Sequence, residues 1–168
     1  MANTYTLIEA KTLGSAVASV TFSSIPQTYT DLLLFTSCRS DRGAARDGVR
    51  IEPNSLSTNQ TMVLLNNVSG TVSSSTDTTI FGGMATGSTA TASTFGNSSC
   101  YITNYTSSNY KAFSVDGTSE NNSSDIYQLL TAALWSSSSA LTELKVLPNI
   151  GPNWVSGSTF YLYGISSS

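Results

Sequence analysis

The chain contains no histidine. Its 168 residues include seven Lys or Arg against ten Asp or Glu, so charged residues make up only 10%. Ordinary soluble domains carry about a quarter. Without histidine, Ser-His-Asp and Cys-His nucleophile systems and His-ligated metals are excluded. Without a basic excess, at net charge −3, nucleic acid is not an expected partner. No run approaches the roughly 18 apolar residues of a membrane span. The start, Met1-Ala-Asn-Thr-Tyr-Thr6, has neither a charged nor an apolar region of the kind a secretory signal needs, so none is expected. A phosphate-cradling glycine loop is missing, because Gly82-Gly83 is not followed by a P-loop lysine. Lys11, Lys111 and Lys145 sit in strand-like segments without a Ser-x-x-Lys context. No heptad seam is present, so the chain carries no coiled-coil shaft of its own.

Cysteine is scarce too. Cys38 and Cys100 are the two, and neither belongs to a Cys-x-x-Cys pair. Two buried free thiols are expected, with a single disulfide as the alternative in an oxidising medium. No cofactor or metal is implied.

What fills the chain is small and polar: 31 Ser, 23 Thr and 12 Asn. With them come 8 Tyr, 6 Phe and 2 Trp, more aromatic content than disordered chains hold. Strand signals follow one another. Residues 4–9 and 16–22 open the series, the second alternating with a period of two. Asp31-Leu-Leu-Leu-Phe-Thr-Ser-Cys38 and Thr61-Met-Val-Leu-Leu-Asn66 are near-continuous apolar runs. The first fits a central strand buried on both faces, and the second reads the same way. Further strands are expected at 78–82, 99–105, 110–116, 126–134, 140–147 and 158–165, with Gly, Asn, Ser and Asp between most of them. Ile126–Trp135 also fits a helix capped by Asp125, but its neighbours favour a strand. The small-residue tract from Gly83 to Asn97 is either a mobile loop or a loop ordered against a neighbouring subunit. Short strands at this spacing predict one all-β domain over 1–168, an antiparallel, jelly-roll-like β-sandwich.

Three places draw attention as candidate sites. Four of the seven cations are arginines within 39–50, interleaved with Asp41, Asp47 and Glu52. The segment is either a solvated loop with weak ion pairs or one in which Arg42 and Arg46 make contacts between subunits or with other particle proteins. Trp154, in the loop Pro152-Asn-Trp-Val155, is either buried under the sandwich rim or an exposed anchor for a partner or sugar. Asp116, Glu120 and Asp125 lie in one turn-rich stretch that is a solvated turn, a set of oxygen ligands for a cation, or a carboxylate pair.

Several stretches together resemble a family. Ser24-Ile-Pro-Gln-Thr-Tyr-Thr-Asp-Leu-Leu-Leu34, Ile102-Thr-Asn-Tyr105, Trp135 with Ala140-Leu-Thr142, and Trp154-Val-Ser-Gly-Ser-Thr-Phe-Tyr-Leu-Tyr-Gly-Ile165 are similar to elements of small tailed-phage virion proteins. These include capsid decoration proteins, head-fibre proteins and terminal domains of tail fibres. The resemblance implies a non-enzymatic structural protein located in the virion. Its partners would be further copies of itself, with three as the expected number, and the major capsid protein or other virion proteins. A tail-associated module that binds host glycans is the alternative.

Overall fold

The computed structural model describes residues 4–121 and 126–166. Among them every regular element is a strand: β1 (Tyr5–Thr12), β2 (Val20–Phe22), β3 (Asp31–Cys38), β4 (Arg46–Pro53), β5 (Gln60–Val68), β6 (Thr71–Asp77), β7 (Ile80–Thr86), β8 (Gly96–Ile102), β9 (Lys111–Glu120), β10 (Ile126–Trp135), β11 (Leu144–Pro148) and β12 (Thr159–Ile165). They form two antiparallel sheets. The large one runs β1-β12-β3-β8-β9-β10-β5-β6 and the small one β2-β11-β4-β7. The all-β, jelly-roll-like sandwich read from the sequence is what the chain forms.

The core lies between the sheets. Leu32, Leu34, Ile102, Phe113, Phe160 and Leu162 from the large sheet meet Phe22, Val49, Ile51, Ile80, Leu144 and Val146 from the small one. Each such side chain contributes about 1.5–3 kcal/mol by leaving water. β10 alternates in period two, with Leu129, Thr131, Ala133 and Trp135 buried and Gln128, Leu130 and Ala132 exposed. That pattern decides against the helix alternative. β3 departs from expectation in one respect. It is central in its sheet, yet Phe35 on its outer side is 43% exposed, so only one face of the run is covered. β5 repeats the departure with Val63 at 54% and Leu65 at 50%.

The stretches that carry the resemblance meet at one end of the sandwich. The Tyr105 hydroxyl donates to the Pro26 carbonyl, and the Tyr105 carbonyl accepts from the Leu141 N–H at 2.8 Å. Asp31 accepts from the Tyr101 hydroxyl at 2.6 Å and the Asn104 N–H at 2.7 Å. Gly164 lies flat under Tyr29, where a Cβ would come within 2.3 Å of the ring. These residues brace a corner of the sandwich.

Cys38 and Cys100 are free and fully buried. Cys100 pairs with Leu34, four residues from Cys38 along β3 and one strand across, which puts the two Cα atoms about 14 Å apart. A disulfide needs less than about 7 Å. Burial pushes both thiols up to about 12 from 9.0. In the unfolded chain they ionise near 9, so stability is full below that pH and falls as pH rises towards 12. The slope is about 1.4 kcal/mol per pH unit for each thiol. Urea unfolding between pH 8 and pH 10.5 should show this decline, and a Cys38→Ala, Cys100→Ala variant should show a shallower one. Equal slopes would contradict the assignment.

Candidate interaction surface

The outer face of the large sheet follows directly from the period-two alternation of its strands. Register places Tyr161, Phe35, Ser99, Asp116, Leu130, Leu65 and Ser74 in one row across β12, β3, β8, β9, β10, β5 and β6. The adjacent row is Tyr163, Leu33, Tyr101, Ser114, Ala132, Val63 and Thr76. Residues opposite each other in such rows stand about 5 Å apart at Cβ. The face therefore has an aromatic end, a polar centre and an aliphatic end.

At the aromatic end, Phe35 meets Tyr163 edge-on at 6.0 Å between ring centroids. Between Phe35 and Asp116 lies a shallow groove of about 390 Å³, lined also by Tyr161, Asn97, Ser99 and Thr118. At the aliphatic end a broader trough of about 790 Å³ runs over Val63, Ala112, Ala132 and Leu134. Small side chains at Ala112 and Ala132 leave this trough open.

The arginine segment is not a loop throughout. Arg46–Pro53 is strand β4, and its buried Asp47 is a hub. Asp47 accepts from the Ser40 hydroxyl (2.9 Å) and from the N–H groups of Gly48 (2.8 Å), Ile150 (3.2 Å) and Gly151 (2.9 Å). Arg42 donates to the Arg46 carbonyl at 3.2 Å and stands 3.8 Å from Asp47. The Arg46 guanidinium lies 3.5 Å over the Tyr127 ring. Arg42 and Arg46 thus come together, half-buried, at the mouth of one cleft of about 230 Å³.

Trp154 is fully buried, with its ring 5.6 Å from Phe160 and its indole N–H donating to the Val146 carbonyl at 3.1 Å. Its backbone bridges Val17 and Ser40. The exposed-anchor role is corrected accordingly: this side chain is a core staple and offers no surface to a partner. Of the 116–125 stretch, residues 122–125, including Asp125, lie outside the described residues, as does the Glu120 side chain. Asp116 is exposed on β9, between Ser99 and Leu130. Among the described residues no cluster of three or more His, Cys, Asp or Glu could hold a metal ion.

Two cations that sequence reasoning treated as ordinary are instead buried in cages of carbonyl oxygens. The Lys111 ammonium donates to the carbonyls of Ser107 (2.6 Å), Asn109 (2.7 Å), Ser137 (3.2 Å) and Ser139 (2.6 Å). The Arg39 guanidinium donates to the carbonyls of Ser88 (3.2 Å), Ala90 (2.9 Å), Thr91 (2.8 Å) and Thr94 (3.3 Å). Burial lowers the pKa of both groups. Arg39 accounts for the small-residue tract: 83–86 completes β7, 96–97 opens β8, and the turn between them folds over the guanidinium. That turn is ordered within this chain and needs no neighbouring subunit.

No protein-family model, curated protein or solved structure matches the chain. The class that fold and surface define is an antiparallel β-sandwich with a broad, sparsely charged outer face on its large sheet.

Proposed function

We propose that the chain is a non-enzymatic structural subunit of a tailed-phage particle, a capsid decoration or head-fibre protein that works as a homo-oligomer, with three copies as the expected number. One observation carries the reading: the outer face of the eight-stranded sheet presents aliphatic, aromatic and hydroxyl groups with little charge. Such a face binds by shape. It forms many neutral hydrogen bonds and apolar contacts without stripping water from ions. Repetition over a particle then multiplies weak single contacts. The motif resemblance adds the particle context. The chemistry agrees with a binding role, because each buried carboxylate among the described residues has a structural partner: Asp47 as above, and Glu52 with Arg50 and Lys145, both at 3.0 Å. Arg42 and Arg46, at the cleft mouth, are the candidates for contact with the major capsid protein. Charge reversal at both should weaken particle binding.

A second reading is favoured by the Phe35–Asp116 groove. An aromatic face stacks on the C–H face of a sugar ring, and Asp116, Asn97, Ser99 and Thr118 offer acceptors and donors to its hydroxyls. In that reading the chain is a tail-associated module for host glycans. Quantitative peptide mass spectrometry of purified particles separates the two. Copies in the hundreds are expected for decoration. Tens of copies would make the glycan reading primary, and absence from the particle would overturn both.

A further inference from the structure

The sandwich has four edge strands, and three are protected against pairing with another chain. β1 carries the Glu9–Lys11 ion pair (2.7 Å) and a register irregularity between Leu7 and Glu9. β2 is only three residues long. β7 is irregular opposite Val49 and Arg50, and its Met84 N–H donates to Ser98 Oγ of the other sheet at 2.9 Å. Gly83, at φ +135°, is required there, since a Cβ would come within 1.9 Å of that hydroxyl.

β6 has none of these devices. Its seven residues, Thr71-Val-Ser-Ser-Ser-Thr-Asp77, pair in unbroken register with β5, all are exposed, and no charge precedes Asp77. Beside this open edge lies the aliphatic end of the outer face: Val72 (68% exposed), Val63 (54%), Leu65 (50%) and Leu130 (44%). Three neighbouring strands thus turn large apolar side chains to solvent on the same side.

We infer that the β6–β5–β10 corner is the interface between copies of this chain, with the patch of one copy facing the patch of the next about a symmetry axis. The inference rests on the self-assembling reading above and names its surface. A second copy is the fitting occupant for two reasons. The three strands turn no charge to this face, the nearest being Asp116 opposite Leu130 on β9, so copies gathered about a two-fold or three-fold axis approach there without repulsion and bury apolar surface from each copy. The area also suffices. At about 4.8 Å between strands and 3.3 Å per residue, the three strands over seven residues cover about 330 Å², the same with β9 added about 450 Å², and the full eight-stranded face about 900 Å². Side chains standing up from the sheet add to these flat figures. A copy seated over the corner and reaching β9 therefore covers about 450 Å² before its side chains are counted, near the roughly 500 Å² per partner at which specific contacts begin.

The test is sedimentation equilibrium of the full chain, from low micromolar to about 100 μM, beside three single variants. Leu65→Glu and Leu130→Glu place charge inside the patch, and Leu56→Glu places it at an exposed position (48%) outside it. The parent and Leu56→Glu should sediment as a multiple of 17.7 kDa. The patch variants should associate at least about 30-fold more weakly, with thermal midpoints unchanged at concentrations where the parent is dissociated. If all four chains associate equally, the corner is not the interface, although self-assembly stands. A parent that remains monomeric at 100 μM overturns both the interface and the self-assembling reading.

Discussion

Replacing Lys111 with methionine should lower the thermal unfolding midpoint by about 10 °C. Methionine keeps the apolar stem and removes all of the donors. Four carbonyl oxygens, from Ser107, Asn109, Ser137 and Ser139, then face one another without a cation between them. Breaking one side of a buried charged network costs about 3–5 kcal/mol, and each kcal/mol moves the midpoint by about 2–4 °C in a chain of this size. Lys111 ties the β8–β9 loop to the segment after β10, and its ammonium lies 5.7 Å from the Trp135 ring. Both connections should loosen together. Scanning calorimetry with hydrogen exchange on residues 103–110 and 136–141 checks this. A midpoint within 2 °C of the parent would show that the cage contributes little.

The second large effect is expected at Arg39, with a different signature. Its guanidinium organises a single turn, residues 88–94, through carbonyls that can turn outward to water once the donor is gone. Arg39→Met should therefore cost less globally, about 2–4 kcal/mol, and open the turn locally. A non-specific protease should cut the variant within 87–95 at a concentration that leaves the parent intact, while the β3–β12 pairing persists. Arg39→Lys should fall between the two, because one ammonium cannot span the acceptors that the planar fork reaches. Cleavage of parent and variant at the same rate would mean that the turn is held by its other bonds, Gly87 to Ala45 (3.0 Å) and Ser88 to Arg42 (2.8 Å).

These two residues also mark where the sequence stops being informative. Strands with strong apolar content, such as β3, β5, β10 and β12, are legible because alternation and β-branched or aromatic residues announce them. β4 and β6 are not. Arg46-Asp-Gly-Val-Arg-Ile-Glu-Pro53 reads as a charged loop, because nothing local reveals that Asp47 is met by three backbone N–H groups or that Arg50 and Lys145 close on Glu52. Thr71–Asp77 reads as a polar spacer and becomes a strand only through its partner β5. Cages of carbonyl oxygen leave no trace in side-chain identity, so Lys111 and Arg39 look like any other surface cation.

The interaction surface is a different case. The runs at 31–38 and 61–66 announce burial on both faces, and in the isolated chain only one face is covered. The mismatch at Val63 and Leu65 is the sequence-level signature of the proposed interface, and that at Phe35 marks the groove at the aromatic end. Arg42 and Arg46 draw attention by their place in a cluster of arginines interleaved with acids, and Trp154 by its place in a loop. The structure ties the first two to Asp47 and Tyr127 while leaving them half-buried at the cleft, where they stay candidates for contact, and packs the third in the core.

The central proposal, a structural subunit displayed on a phage particle, is tested most directly by cryo-electron microscopy of intact virions of the virus proposed to carry it. The account predicts sandwich-shaped density repeated over the capsid at symmetry-related positions, with the β6–β5–β10 corners of neighbouring copies turned towards one another. Density confined to the tail, or none on the particle, would contradict it.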